Sequence, residues 1–293
     1  MEMILSRKTK LGNRILTRYP HVRNLAFTIP ILIVLLVLFV FPISKIIIRS
    51  FMDPALTPKH YLHILHVPVY FRIFLITFRI AFSVTVVCLI AGYPVAYLLS
   101  KVSPHKSNLL IIFVMVPFWT SILVRSYAWM VLLQREGILN VMLMKLGLIS
   151  APIKMMFNSI GVTVGMVHVL LPFMILPLLA VMKGIDRNLL KAAENLGATP
   201  TVAWWKVFFP LSLPGVGAGC LLVFMMGIGF FITPALLGGR TDVMISMAIE
   251  AQVNDMVNWG LASALAAVLL GITIFIFIIY DHVLGLDKMW GGV

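Results

Sequence analysis

The stretch Lys191-Ala-Ala-Glu-Asn-Leu-Gly197-Ala-Thr-Pro200, followed by Trp204-Trp-Lys-Val-Phe-Phe-Pro210-Leu-Ser-Leu-Pro214, decides how the chain is read. It is a polar interval between two hydrophobic runs. Its residue order predicts a short helix over Leu189 to Leu196, a turn at Gly197, a second short helix opened by Pro200 and an exit at the prolines beyond. Glycine adopts the left-handed conformation after a helix end without a Cβ clash, and proline fits the first helical position, where its missing N–H is not needed. Two short helices at a membrane face suggest a docking element.

The rest of the chain supplies that membrane. Of 293 residues, 61% are hydrophobic and 11% charged, and the mean hydropathy is +1.06. A run of about 20 apolar residues crosses a bilayer as a helix. Such runs occur at about 27–48, 73–99, 109–133, 158–182, 215–237 and 259–280. The reading is therefore all-α: a polytopic inner-membrane protein of six transmembrane helices in one domain, 27–282, between a basic tail 1–26 and a short tail 283–293. The interval 183–214 is its cytoplasmic loop.

Charge sets the expected orientation. Six of the 23 Lys and Arg lie in the first 25 residues. Expected inside segments hold thirteen Lys and Arg against eight outside, which puts both termini in the cytoplasm. The net charge of +13 is not gathered into a nucleic-acid-binding motif, so nucleic acid is not an expected partner. Cys88 and Cys220 both lie inside apolar runs and read as small core residues. His60, His63 and His66 at spacing three invite a metal, yet nothing completes a site and Pro58 and Pro68 argue against one regular helix; the segment reads as outer surface.

Within the spans, Gly92-Tyr-Pro94 reads as a break in the second, and Arg72 and Arg79 as snorkelling at its outer end. Arg125 falls four residues past the middle of the third, some 6 Å at a rise of 1.5 Å per residue, a depth at which a charge faces a bundle interior or a cavity. Trp119, Arg125, Tyr127 and His168 are the candidate pathway lining. The Gly161-x-x-x-Gly165 pair permits close helix approach, and the glycines from Gly215 to Gly229 imply tight packing or a hinge.

The A-A-x-x-L-G-A run, with P-L-x-x-P-G from Pro210 to Gly215, closely resembles the EAA loop of permease subunits of binding-protein-dependent ABC importers of the type I, MetI-like fold. Val116-Pro-Phe-Trp-Thr-Ser-Ile-Leu-Val-Arg125-Ser-Tyr-Ala-Trp129 and Pro234-Ala-Leu-Leu-Gly-Gly239 are similar to the spermidine/putrescine members. The resemblance implies a coupling surface at Lys191, Ala192, Ala193, Glu194, Leu196, Gly197, Ala198, Pro210 and Pro214. The family's usual leading Glu is Lys191 here, and Glu194 lies three residues on, on roughly the same helix face. Leu196, Trp204, Trp205 and Phe208 are expected to supply anchoring area for a partner.

The same resemblance implies the partners: cytoplasmic ABC ATPase subunits, a second homologous permease in a heterodimer, a periplasmic or extracellular solute-binding protein, and the bilayer. The chain holds no G-x-x-x-x-G-K-[ST] phosphate loop, so ATP and Mg are expected on the partner ATPase and no cofactor on this chain. No nucleophile or metal constellation points to an enzyme. Polyamine import is the expected function. Opines, phosphonates, oxyanions or amino-acid-like solutes are the alternative cargo, and an ion-driven carrier, which calls for membrane carboxylates or an inverted repeat, is the contrasting mechanism.

Overall fold

The structure, a computed structural model, describes residues 20–53 and 55–284. Of the expected tails, residues 1–19 and 285–293 lie outside the described residues, and residues 20–26 already belong to a helix. Helix α1 (Pro20–Leu35) passes through a π turn (Leu36–Val40) into α2 (Phe41–Ser50). The two-residue strands β1 (Met52–Asp53) and β2 (Ala55–Leu56) pair antiparallel before α3 (Lys59–His66) and α4 (Pro68–Lys101). Next come α5 (Pro104–Trp119), α6 (Ile122–Leu133), α7 (Ile138–Lys145) and α8 (Ser159–Gly184). Helix α9 (Asn188–Asn195) precedes α10 (Pro200–Ala203), a second π turn (Trp204–Phe208) and α11 (Phe209–Ile228). Helices α12 (Ile232–Leu237), α13 (Ile245–Asn254) and α14 (Trp259–Leu284) complete the fold.

Among the described residues, five stretches are long and apolar enough to cross a membrane: 28–50, 68–101, 159–184, 200–228 and 259–282. A sixth crossing exists only if Pro104–Trp119 and Ile122–Lys145, bent by 90° at their junction, count as one broken span. The straight third span expected over 109–133 does not form. An unbroken apolar run carries no signal for a change of direction, and the depth inferred for Arg125 from a constant rise falls with it.

Five prolines mislead. Pro94 sits inside the continuous 34-residue α4, so the expected break near Gly92 is absent. The bundle tolerates one lost backbone bond where neighbours pack closely. Pro58 and Pro68 flank α3 rather than breaking it, one at its N-cap position and one opening α4, so all three histidines lie on one helix. Pro210 and Pro214 do not end a short helix either, because Pro200–Ile228 is one 29-residue helical stretch. The π turn explains how. Phe209 N–H bonds Trp204 O, five residues back, just before Pro210, whose ring would clash with a regular i−4 carbonyl. The first π turn has the same design, with Phe41 N–H on Leu36 O ahead of Pro42.

The core lies where α4, α8 and α11 pack together, around Val84, Cys88, Met166, Leu170, Met174, Leu178 and Val223. Helix α11 meets α8 and α4 along Gly215, Gly219, Val223 and Gly227, all buried and each four residues apart, which places them on one face. A Cβ on Gly219 would come 2.7 Å from Met174 Sδ and 3.1 Å from Met174 O, so these glycines serve packing. Cys88 and Cys220 are free thiols, Cys88 fully buried.

A second cluster joins Tyr70, Ile73, Phe74, Ile245 and Leu265 at the other end of α4. Here α13 is fixed to α4 by Ile245 N–H on Thr77 Oγ1 at 2.9 Å. The segment 238–258, expected as an outside loop, is thus partly core. The expected fifth span ends early, at Ile228 with Gly229 as its cap, and residues 232–237 form a separate short helix.

Candidate functional site

The hairpin between α8 and α11 is built from its caps. Asp186 Oδ1 accepts from Asn188 N–H at 2.9 Å, starting α9. At the other end Gly197 N–H bonds Glu194 O at 2.9 Å and Ala198 N–H bonds Ala193 O at 3.0 Å, with Gly197 at φ +92°. That pair of bonds is a Schellman motif, and it needs the left-handed residue the sequence put there. Thr199 then caps α10 by accepting from Val202 N–H, with Pro200 at the first helical position as expected.

Two anchors hold the hairpin to the bundle. Arg187 donates from Nη2 to Ser100 O near the end of α4. Behind it Leu190 packs on the core, and a small cavity of about 150 Å³ between Tyr97, Met182, Ile185 and Phe208 separates α9 from the spans. Trp204 meets Tyr93 and Tyr97 edge-on at 6.1 and 6.0 Å, Phe208 meets Tyr97 at 5.1 Å, and Tyr93 Oη shares a hydrogen bond with Ser212 Oγ at 2.9 Å.

These contacts divide the expected anchor residues. Phe208 is buried and Trp204 half-buried in the chain's own packing, so neither is offered to a partner. Leu196 is 89% exposed and Trp205 57% exposed, with Leu189 and Val202 also open. Lys191, Ala192, Glu194, Gly197 and Pro210 are exposed, while Ala193, Ala198 and Pro214 are half-buried. A protruding apolar knob on a fixed base can fill a complementary groove; here the knob is Leu196.

The pathway candidates separate in the same way. Helix α6 leaves the break at Thr120 and Ser121 carrying Arg125, Ser126 and Trp129 toward α8 and α12. Trp129 Nε1 donates to His168 Nδ1 at 3.0 Å, and Ser126 and Thr233 share a hydrogen bond at 3.3 Å. Arg125 lies one turn before Trp129 on the same face, with Nε and Nη1 buried and lacking an acceptor. Trp119 and Tyr127 instead point outward, 82% and 55% exposed. The Gly161 and Gly165 pair seats α12: a Cβ on Gly165 would lie 2.6 Å from both Leu237 Cδ1 and Thr233 Cγ2.

Sequence reading missed Asp242. It is 3% exposed and accepts from Ser159 Oγ, from Gly239 N–H at 3.2 Å and from Thr241 Oγ1 at 3.4 Å. Arg79 Nη2 reaches Ser159 Oγ at 3.1 Å, so Arg79 is bonded to α8 rather than snorkelling. This network ties the 238–244 turn to the start of α8. Its signal in the sequence is the Gly238-Gly239 pair ahead of an acid, and a Cβ on Gly239 would come 2.3 Å from Phe157 O.

No family model matches the chain. It is 41% identical over 196 residues to the spermidine/putrescine transport system permease protein PotB of Haemophilus influenzae, covering 66% of this chain and 68% of the relative. Escherichia coli K12 PotB is 38% identical over 239 residues, 78% of this chain and 86% of that protein. Among solved structures, a bacterial ABC transporter importing the acidic polysaccharide alginate superposes with a TM-score of 0.71 at 17% identity, over 92% of this chain and 97% of that one. The same bacterial alginate transporter fold in complex with its alginate pentasaccharide-bound periplasmic protein gives 0.70 at 16% identity, over 92% and 95%. The superposition over nearly the whole chain shows a shared fold, and by its likeness to these relatives the chain belongs to the PotB family of transport-system permease proteins.

Proposed function

We propose that the chain is one of two permeases of an ATP-driven polyamine importer, that spermidine or putrescine passes between it and a homologous second permease, and that the 187–209 hairpin docks on a cytoplasmic ATPase. The observation that carries the coupling role is the geometry of α9. A helix end locked by a Schellman turn projects Leu196 almost fully into solvent while Arg187, Trp204 and Phe208 root its base in α4. A rooted lever transmits motion only if its base does not slip, which is the physical requirement for coupling. ATP-driven approach of two ATPases then closes the inner ends and opens the outer ends to a solute-binding protein. Both termini lie in the cytoplasm in this arrangement, and ATP and Mg act on the ATPase.

The polyamine assignment rests on the relatives' described substrates, spermidine and putrescine. One observation favours a second reading, an anionic solute: the Arg125 guanidinium has two buried nitrogens without an acceptor. Proteoliposomes holding the two permeases, the ATPase and the solute-binding protein separate the readings. Labelled putrescine is expected to accumulate with ATP and to be competed by spermidine. Accumulation of phosphonates or oxyanions in its place overturns the polyamine assignment.

A further inference from the structure

The outer half of the bundle holds a carboxylate with no part in the transport steps described above. Helix α11 stops at Ile228, Gly229 to Phe231 cross as irregular backbone, and α12 begins at Ile232. Irregular backbone at membrane depth persists only where protein covers it or water reaches it. Here Gly229 is exposed, nothing lies within 4 Å of a Cβ built on it, and its carbonyl accepts no hydrogen bond among the described residues. Helix α13 meets this break directly, since Ser246 Oγ donates to Phe230 O at 2.6 Å. Glu250 lies one turn further along α13, on the same face as Ser246, whereas Ile245 and Gln252 are buried on another side. Because Ile245 is fixed to Thr77, about 14 Å from the start of α4 at a rise of 1.5 Å per residue, α13 sits within the bundle rather than above it.

Glu250 is half-buried, and its hydrogen bond comes from a neutral group, Asn254 Nδ2 on Oε1 at 2.9 Å. No Lys, Arg or His among the described residues pairs with it, and Oε2 is left without a donor. Taking a carboxylate partly out of water without a counter-charge is unfavourable, and the C-terminal end of a 29-residue helical stretch beside it adds negative potential. The arrangement calls for a cation, and the number of acceptors selects which. Calcium takes roughly six to eight oxygens and magnesium an octahedron, while no group of three or more His, Cys, Asp or Glu that could hold a metal exists among the described residues. A primary ammonium has about three donors to place, and Phe231, 36% exposed in the break, suits the methylene chain behind it. We propose that Glu250 receives the leading ammonium of a polyamine as it enters from outside and passes it to Gly229 O, about one helical turn deeper. This site rests on the polyamine reading above and makes Glu250 specificity-determining for it, because the same carboxylate repels an anionic solute.

The test uses the full assembly in proteoliposomes, with labelled putrescine delivered by saturating binding protein. E250Q keeps the size of the side chain and removes its charge, so uptake is expected to fall by a factor on the order of ten, with most of it recovered in E250D. The affinity of the assembly for the loaded binding protein is expected to stay unchanged in both. E136Q, which neutralises an exposed carboxylate elsewhere on the outer side, is expected to transport normally. Should E250Q fail to assemble, E250C offers a second route. Sulfonatoethyl methanethiosulfonate returns a negative charge to that thiol and is expected to raise uptake, whereas the trimethylammonioethyl reagent is not. Unaltered uptake in E250Q overturns the site, as does an equal loss in E136Q, which marks general steering by surface charge. Loss of binding-protein affinity in E250Q reassigns Glu250 to a protein contact and also overturns it. Those three results leave the polyamine reading standing; failure of the unaltered assembly to take up putrescine overturns both.

Discussion

Gly197 and Gly219 resist substitution for opposite reasons. Nothing lies within 4 Å of a Cβ on Gly197, but its φ of +92° is closed to branched side chains. Gly219 has an ordinary backbone and no room beside Met174. Gly197→Val is therefore expected to spoil only the Schellman turn, leaving insertion and assembly intact while uptake falls at least tenfold. Gly219→Val is expected to push α11 off α8 and lower the thermal midpoint in detergent, since overpacking a filled core costs roughly 1–3 kcal/mol or more. Asp242 offers a third test at this scale. Asp242→Asn puts an amide donor where a carboxylate oxygen accepts, so at least one of the donors on Ser159, Gly239 and Thr241 loses its partner. A loss of about 1–3 kcal/mol in stability is expected, read from thermal unfolding.

At the scale of elements, what was legible and what was not follow from range. The apolar runs, the Gly197 turn and the start at Pro200 are encoded within a few residues, and they were readable. The bend after Trp119 was not, because its causes lie outside 109–133. Helix α6 is drawn aside by Trp129 meeting His168 and Ser126 meeting Thr233, partners 39 and 107 residues away. The seat of α13 on Thr77 spans 168 residues and was equally invisible. Prolines were over-read as breaks because local chemistry says what a residue cannot do in isolation, whereas a π turn or close neighbours absorb the defect. Pro210→Ala tests that account. Without the ring, the turn at Trp204–Phe208 is free to close as a regular helix, rotating the hairpin by about 100° relative to α11. Transport per ATP is expected to fall several-fold, with stability changed by less than about 1 kcal/mol as the lost hydrogen bond is regained.

For the whole molecule, the bundle divides into a rigid part and a gripping part. Helices α4, α8 and α11 share one core, which Leu190, Trp204 and Phe208 of the hairpin join, and α4 continues from it into the second cluster, so in the proposed coupling a push on α9 meets packed side chains rather than a loop. Helix α2 packs along α14 yet leaves its apolar side chains largely exposed, with Ser50 its one buried residue. That arrangement suits lipid or a second permease against α2, and a partner below the hairpin. Everything in the transport account depends on that last contact. Leu196→Cys places one accessible thiol at the tip of the hairpin, since Cys88 and Cys220 lie within the bundle. With a membrane-impermeant maleimide, the thiol is expected to label in inside-out vesicles stripped of the ATPase, to be protected when the ATPase is restored, and to remain unlabelled in right-side-out spheroplasts. Labelling from the outside, or labelling indifferent to the ATPase, would contradict it.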